Sequence, residues 1–320
     1  MSTVNSYHFI DYNRNGLSEF LSEIREFSNV ICLDLEDGIQ DINNPLNNSS
    51  LKRHSRQTIE NIFKNDEFHG VKFGVRINPY LSNEFYSDIQ LLSKEVMRNN
   101  LHTIFLPKVS SNNELMSFFQ ILNKSNIVVK EVIPIIETSR GLENLTNILS
   151  CKDGRLKKAA FGHCDLNFDL GNFPFYHQSS MQYWKWAEII IKACESAGVN
   201  FLNSPFLELN NHIVFDNMLT KLTEKCINSF SQIVLTTVQA KSCYNFKYNQ
   251  DRIFNSLKLG TNEDINKNTY AEMIVAEFEF NFVERKGFSI ISGSKILISP
   301  HEYFSAKKYL ASLTERKIVN

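Results

Sequence analysis

Short apolar runs that alternate with longer segments of helical periodicity are the feature that most constrains how this chain can fold. Eight of these runs are rich in Ile, Val and Phe and have the length of buried strands, and a polar turn leads from each into an amphipathic segment. The predicted strands cover residues 7–10, 30–35, 72–77, 103–106, 132–136, 159–161, 200–202 and 232–235. The predicted helices cover residues 16–27, 51–64, 84–99, 112–124, 142–150, 179–197, 208–226 and 239–250.

This alternation predicts an α/β fold, a closed TIM (β/α)8 barrel over residues 1–255, because right-handed crossovers place the helices outside a ring of parallel strands. An open, doubly wound sheet is the competing fold. It is disfavoured because the chain has only 12 glycines and no strand is followed by a GxGxxG turn. Residues 256–320 contain a predicted helix at 269–286, a hairpin at 288–298 and a final helix at 300–312. We therefore expect a C-terminal helical extension that caps the barrel or joins subunits.

Composition and charge indicate which classes of partner the protein can bind and in which cellular compartment we expect it. The chain has 34 basic and 35 acidic side chains, so it lacks the cationic excess that drives binding to phosphate backbones. No apolar run approaches the length of a membrane span, and residues 1–20 lack the pattern of a signal peptide. The six cysteines are scattered without CxxC pairs, as in reduced proteins. We expect a cytoplasmic protein that binds neither nucleic acid nor membranes.

Charged residues follow five successive predicted strands, at the end where the loops of a barrel converge. The second to sixth strands lead into Asp34-Leu35-Glu36-Asp37-Gly38, Arg76-Ile77-Asn78-Pro79, Pro107-Lys108, Glu137-Thr138-Ser139-Arg140-Gly141 and Gly162-His163-Cys164-Asp165. Charges beside a packed core are costly unless they are paired or bind a metal. Five such groups in succession therefore predict an active site at this end of the barrel.

Glu137 and Asp165 are the predicted metal ligands. They follow neighbouring strands, and two carboxylates brought so close repel each other unless a hard divalent cation such as Mg²⁺ lies between them. Mn²⁺ is a possible substitute. Each residue also has a structural interpretation: Glu137 can pair with Arg140 or act as a first-turn charge, and Asp165 can be a turn residue. Together, on adjacent strands, they favour the metal.

Arg76 is the predicted substrate-binding and catalytic residue, because a planar guanidinium suits bidentate capture of a substrate carboxylate. The alternative is an ion pair with Glu36 or Asp37, and both roles are compatible. Glu36 and Asp37 are predicted to support catalysis by orienting metal-bound water or by pairing with Arg76. Lys108 is interpreted as a charge partner for these acidic groups.

Two sets of residues are assigned no role at this stage. His163 and Cys164 flank Asp165, but no other Cys or His has metal-ligand spacing with them, so a zinc site is not expected. His301 lies in a predicted helix and is interpreted as an ordinary surface histidine.

The ordered set of motifs resembles the HpcH/HpaI aldolase and citrate lyase beta-subunit-like family, which includes citryl-CoA and malyl-CoA lyases. The matching segments are Asp34–Gly38, Arg76–Pro79, Leu106–Lys108, Ile136–Leu142 and Phe161–Leu166. The resemblance implies a TIM barrel that binds Mg²⁺ through Glu137 and Asp165 and a substrate carboxylate through Arg76. It also implies a homo-oligomer, often a trimer or hexamer, that cleaves or forms carbon–carbon bonds next to a carbonyl.

Two departures from the family pattern bear on the substrate. The family's IHPxQ motif is replaced by Leu-Thr-Thr-Val-Gln at residues 235–239, and Ile298 stands where CoA-using members carry an acidic residue. We therefore expect a Mg²⁺-dependent lyase or aldolase that acts on a β-hydroxy acid and a metal-chelated 2-oxo acid. The alternatives are a lyase that uses CoA thioesters and a catalytically silent barrel that binds an oxo acid.

Overall fold

Eight parallel strands form the centre of the molecule. The computed structural model describes residues 4–42, 44–247, 266–281, 287–291 and 293–319. The strands close into a barrel in sequence order, with β8 hydrogen-bonded to β1, which confirms the predicted TIM barrel. They are β1 Asn5–Phe9, β2 Val30–Asp34, β3 Phe73–Arg76, β4 Leu101–Leu106, β5 Glu131–Ile136, β6 Lys158–Phe161, β7 Asn200–Asn203 and β8 Ser231–Val234.

Ten helices follow the strands in the part of the barrel that the structure describes. They are α1 Leu17–Ile24, α2 Asn48–Lys64, α3 Asn83–Leu92, α4 Asn112–Lys124, α5 Ser139–Glu143, α6 Leu145–Leu149, α7 His163–Asp169, α8 Met181–Ala197, α9 His212–Lys225 and α10 Thr237–Asn245. The helix expected over 84–99 ends early because Lys94 adopts an extended ψ of 142°. The helix α7 was not predicted. The expected boundary at residue 255 lies outside the described residues.

Strand alternation divides the apolar core into two layers. Val30 and Cys32 point into the barrel, whereas Ile31 and Leu33 pack against the surrounding helices. The barrel interior is so tightly filled that a Cβ atom at position 74 would lie 3.1 Å from the ring of Phe105. Gly74 is therefore a packing requirement of β3. The closed interior leaves the ends of the strands as the place for a site.

A buried carboxylate, that of Glu131, joins four strands at the amino end of the barrel. It accepts hydrogen bonds from the Tyr7 hydroxyl at 2.5 Å, from Thr103 Oγ1 at 2.8 Å and from Lys158 Nζ at 2.9 Å. These partners lie on β1, β4 and β6, so one charged group ties β5 to strands on both of its sides.

The C-terminal extension, here residues 266–319 as far as they are described, has its own small core. Its helices are α11 Lys267–Asn281 and α12 Pro300–Val319, between which a short hairpin pairs β9 Ser289–Ile290 with β10 Leu297–Ile298. The rings of Phe278 and Tyr303 stack at 4.2 Å between the two helices. No helix in the described ranges is long and apolar enough to cross a membrane.

We call the carboxyl ends of the strands, with the loops that follow them, the barrel mouth. The extension contacts two of these loops. The Leu297 N–H donates to the Leu207 carbonyl at 2.9 Å, which joins the hairpin to the loop after β7. Gly287 lies against the loop after β2 with φ +100°, where a Cβ atom would come within 2.7 Å of the Asp37 carbonyl. The hairpin and the start of α12 thus lie beside the residues predicted to form the site.

Candidate active site

Asp34 shapes the loop after β2. Its Oδ1 accepts the Glu36 N–H at 2.9 Å and its Oδ2 accepts the Gly38 N–H at 2.8 Å, so the carboxylate folds the Asp-Leu-Glu-Asp-Gly segment into a turn. Gly38 is required because a Cβ atom there would lie 2.5 Å from Asp34 Oδ2. This turn directs Glu36 and Asp37 toward the mouth.

Arg76 is held by the same carboxylate. Asp34 and Arg76 face each other in the register of β2 and β3, and the guanidinium donates from Nε at 2.8 Å and from Nη2 at 2.6 Å. Its Nη1 lies 3.0 Å from Glu36 Oε2. The predicted ion pair of Arg76 therefore exists, but its bidentate partner is Asp34 rather than Glu36 or Asp37. Asp34 and Glu36 together thus contact all three nitrogens of the guanidinium, and the substrate-binding role of Arg76 stays a prediction.

Lys108 connects three loops of the mouth. Its backbone adopts φ +55°, a conformation that costs energy for a residue other than glycine, and its N–H donates to Glu137 Oε1 at 2.8 Å. Its Nζ lies 2.7 Å from Glu36 Oε1, 3.4 Å from Asp165 Oδ1 and 3.8 Å from Asp37 Oδ1. Lys108 is thus a charge partner of the acidic residues.

The two predicted metal ligands are buried beside this lysine. Glu137 directly follows β5 and is 2% exposed, and Asp165 lies in the first turn of α7. Gly162 leaves room for Glu137, since a Cβ atom there would lie 2.3 Å from Oε2. Burial, followed by the charges of Asp165 and Glu36, raises the pKa of Glu137. Burial and the charge of Asp37 likewise raise the pKa of Asp165.

The mouth contains more buried negative than positive charge. Its acidic cluster consists of Asp34, Glu36, Asp37, Glu137 and Asp165, and its cations are Lys52, Arg76 and Lys108. Five carboxylates against three cations leave two negative charges when all are ionised. Glu36 Oε2 and Asp165 Oδ1 are buried without a hydrogen-bond partner among the described residues. Both atoms have ion-pair contacts only, Glu36 Oε2 with Arg76 at 3.0 Å and Asp165 Oδ1 with Lys108 at 3.4 Å. Carboxylate oxygens that carry excess negative charge and accept no hydrogen bond suit a hard divalent cation, so the residues present fit Mg²⁺.

His301 also belongs to the mouth, which the sequence analysis missed. Its Nδ1 lies 3.7 Å from Asp165 Oδ2 and 4.0 Å from Asp37 Oδ2, and its ring packs against Phe168. The surface interpretation of this histidine was wrong because Tyr303 packs on α11 and turns the start of α12 toward the barrel. The available signal was its position three residues after Ile298, in a segment that the family resemblance placed near the site.

A cavity of about 470 Å³ opens next to Lys108, between the loops after β3 and β4. Its lining combines the ring of Tyr80 with polar groups of Ser110, Asn113 and Glu114. This space is open to solvent, and neither Arg76 nor a carboxylate of the acidic cluster lines it, so it does not by itself indicate where a substrate binds.

Comparison with solved structures supports the fold. RipC from Yersinia pestis superposes with a TM-score of 0.57 at 18% sequence identity, over 78% of this chain and 98% of RipC. A citrate lyase beta subunit from Mycobacterium tuberculosis, complexed with oxaloacetate and magnesium, gives 0.57 at 18% identity, over 76% of this chain and 98% of the other. CitE from the same organism, in complex with magnesium, acetoacetate and coenzyme A, gives 0.56 at 16% identity, over 97% and 98%.

Comparison with sequences identifies the family. None of the curated proteins matches this sequence significantly. A family model described as HpcH/HpaI aldolase/citrate lyase matches residues 27–220, which is more than half of the chain and runs from β2 to α9. The matched segment contains the whole acidic cluster, Arg76 and Lys108. This chain therefore belongs to the HpcH/HpaI aldolase/citrate lyase family of carbon–carbon lyases.

Proposed function

We propose that the protein is a Mg²⁺-dependent lyase or aldolase that cleaves or forms a β-hydroxy acid, with a free 2-oxo acid as one of the reacting partners. The observation that carries the proposal is the excess of carboxylate over cationic groups in the acidic cluster, beside the guanidinium of Arg76. Structural neighbours with the same fold have been crystallised with magnesium and the 2-oxo acids oxaloacetate and pyruvate, which supports this class of ligand.

Glu137 and Asp165 would hold the metal, and Glu36, Asp37 and His301 lie close enough to support its surroundings. Mg²⁺, or Mn²⁺ in its place, would act as a Lewis acid that stabilises negative charge developing on the oxo acid. Burial and the charge of Asp37 raise the pKa of Glu36 to about 8. A buried cluster of this kind is therefore incompletely ionised until a cation enters it.

Arg76 would bind the carboxylate of the 2-oxo acid. Asp34 fixes the plane of the guanidinium through two hydrogen bonds, so the remaining N–H groups are oriented before the substrate arrives. Lys108 adds positive charge beside Arg76, and Glu36 contacts both cations. The start of α12, which carries His301, covers one side of the mouth and limits the access of water.

The test is a calorimetric titration of oxaloacetate and of pyruvate into the protein, with and without Mg²⁺. We expect saturable binding only with Mg²⁺ and its loss in Glu137→Gln and Asp165→Asn. Glu143→Gln is the matched control, because Glu143 is exposed on the helix that follows Glu137. Mg²⁺ binding that survives in both active-site variants would contradict the assignment of the metal ligands.

A lyase that acts on CoA thioesters is the second candidate. It is favoured by one observation: the likeness to CitE bound to coenzyme A covers 97% of this chain, including the C-terminal extension. Ile298 disfavours this candidate, because CoA-using members carry an acidic residue at this position and isoleucine can neither give nor take a proton.

A further inference from the structure

A second group of side chains that could hold a metal ion lies outside the acidic cluster and consists of His163, Cys164 and His177. His163 and Cys164 are the first two residues of α7, and His177 lies in the loop between α7 and α8. His163 Nε2 is 3.1 Å from His177 Nδ1 and 3.6 Å from Cys164 Sγ, and the three ligand atoms all lie within 4.8 Å of one another. The sequence analysis dismissed a zinc site because His177 is too far along the chain to be recognised by spacing.

Two of the three separations between the ligand atoms are close to those around a tetrahedral ion, and the third, between His177 and Cys164, is within 4.8 Å. Metal–ligand bonds of about 2.0–2.3 Å at tetrahedral angles place nitrogen and sulfur donors roughly 3.3–3.7 Å apart. The two measured distances, 3.1 and 3.6 Å, differ from that range by 0.2 Å at most. A hydrogen bond from His163 to His177 would explain the first distance alone. The second distance would fit a hydrogen bond between the Cys164 thiol and the same nitrogen, and the Co²⁺ titration below distinguishes these hydrogen bonds from a bound metal.

The surroundings of His177 are those of a metal-binding histidine. Its Nδ1 lies near the ligand atoms of His163 and Cys164, while its Nε2 lies 3.3 Å from Glu302 Oε1. Glu302 is 2% exposed and is fixed by the Tyr270 hydroxyl at 2.8 Å. A carboxylate that accepts one N–H of a histidine fixes the orientation of the ring and directs its other nitrogen toward a metal.

Exposure and donor chemistry suit a softer ion than Mg²⁺. His163 is 1% exposed, so its ring is held in place by the surrounding residues. Cys164 and His177 are half-buried, so an ion can enter from their side. Two imidazoles and one thiol favour Zn²⁺ or Co²⁺, whereas Mg²⁺ prefers oxygen donors.

We propose that His163, Cys164 and His177 bind a thiophilic divalent cation of the Zn²⁺ class, separately from the acidic cluster, with the fourth position open to solvent. Binding deprotonates the thiol of Cys164, whose proton passes to solvent. The bound ion joins the helix that carries Asp165 to a loop anchored on Glu302, the neighbour of His301. It therefore stabilises the position of the C-terminal extension over the barrel mouth.

Co²⁺ is the probe, because a thiolate ligand gives it a charge-transfer absorption in the near ultraviolet that oxygen ligands do not produce. The full-length protein is freed of metal by a chelator and titrated with Co²⁺ in excess Mg²⁺. We expect one equivalent to produce the thiolate absorption and Zn²⁺ to remove it. Cys164→Ser should abolish the absorption, and His177→Gln should lower Co²⁺ affinity about tenfold or more.

Cys226→Ser is the matched control and should keep the absorption, because Cys226 is also a half-buried free thiol but lies at the end of α9. Circular dichroism checks that each variant is folded. Absence of the absorption in the wild type, or its persistence in Cys164→Ser, would overturn the proposal. Glu137→Gln separates the two sites: it should lose Mg²⁺-dependent oxo-acid binding and keep the cobalt absorption.

Discussion

At the scale of single residues, Asp34 fixes the orientation of the Arg76 guanidinium before a ligand binds. The pKa of Asp34 is lowered although burial alone would raise it, because the charge and hydrogen bonds of Arg76 favour the carboxylate. The carboxylate in turn occupies two of the five N–H donors of the guanidinium. The arginine is therefore rigid before a ligand binds, which lowers the entropy that binding costs.

Arg76→Lys keeps the charge and removes the planar fork. We expect 2-oxo-acid affinity at saturating Mg²⁺ to fall about ten- to a hundredfold, since a hydrogen bond between charged groups contributes about 1.5–3 kcal/mol, while Mg²⁺ binding changes little. Calorimetry measures both. Arg56→Lys is the control, because Arg56 also pairs with two carboxylates, those of Glu84 and Asp88, away from the acidic cluster. Unchanged oxo-acid affinity in Arg76→Lys would mean that Arg76 is purely structural.

Glu137→Gln should separate stability from function. The raised pKa of Glu137 means that its charged form is unfavourable in the metal-free fold. A neutral side chain of the same shape still accepts the hydrogen bond of the Lys108 N–H, so the metal-free melting temperature should stay the same or rise. The stabilisation by Mg²⁺, about 2.7 kcal/mol at a hundred times its dissociation constant, should disappear. Thermal denaturation in chelator and in Mg²⁺ tests both statements, and a collapse of the metal-free fold would contradict them.

The site residues differ in how well the sequence predicts them. Glu36, Asp37, Arg76, Glu137 and Asp165 could be proposed because each comes directly after a strand, and strand ends meet at one place in a barrel. His177 and His301 could not, because they reach the barrel mouth from a loop and from a distant helix. Their positions depend on tertiary contacts such as the packing of Tyr303 on Phe278, which no local pattern encodes.

At the scale of elements, Glu131 holds the amino ends of four strands together. Burial would raise its pKa, but hydrogen bonding with His102 and Tyr7 and the charge of Lys158 hold the pKa at about 2, below its ordinary value of 4.5. A carboxylate with a lowered pKa adds stability that is fully present above pH 4.5 and is lost as pH falls toward 2. The stability of the barrel should therefore decrease over that interval.

Glu131→Gln should cost about 3 kcal/mol of unfolding free energy at pH 7, the equivalent of the lowered pKa. The difference between wild type and variant should shrink as pH falls from 4.5 toward 2, because the wild-type carboxyl then takes up a proton. Urea denaturation at pH 7 and near pH 3 measures this difference in unfolding free energy. A difference that does not change with pH would show that the network acts through packing alone.

Element boundaries were harder to predict than element types. All eight strands were located because apolar runs bounded by polar turns have no other stable arrangement in an alternating chain. The helix expected over 142–150 is two short helices, α5 and α6, separated at Asn144, whose ψ of 7° interrupts the regular backbone. The helix α7 was taken as a turn because it is only seven residues long.

At the scale of the whole molecule, the C-terminal extension packs beside the barrel mouth, and its predicted role in joining subunits remains to be tested. Its own core and its contacts with the loops after β2 and β7 make it a brace beside the site. The expectation of a homo-oligomer, a trimer or hexamer, stays a prediction. Light scattering with size-exclusion chromatography gives the mass in solution, and a mass near 37.0 kDa would contradict it.

We also expect the extension to influence whether the protein binds coenzyme A. Ile298 is fully buried in the core of the extension, and the polar group presented to the barrel mouth from this segment is His301. We therefore expect calorimetry to show no saturable binding of coenzyme A or acetyl-CoA, together with Mg²⁺-dependent binding of a free 2-oxo acid. Micromolar binding of coenzyme A would restore the thioester lyase. Binding of neither ligand would favour a catalytically silent barrel.

A change at position 298 completes this test. Ile298→Asp restores the acidic residue of the CoA-using members, but it would bury a carboxylate among Ala271, Ile274 and Phe278. A buried charge without a partner is destabilising, so we expect a lower melting temperature and no gain of coenzyme A binding. The control is Ile298→Val, which keeps the site apolar and should cost only about 0.5–1.5 kcal/mol. If Ile298→Asp folds normally and binds coenzyme A, the extension changes conformation when substrate binds, and the side chain at position 298 then reaches the barrel mouth.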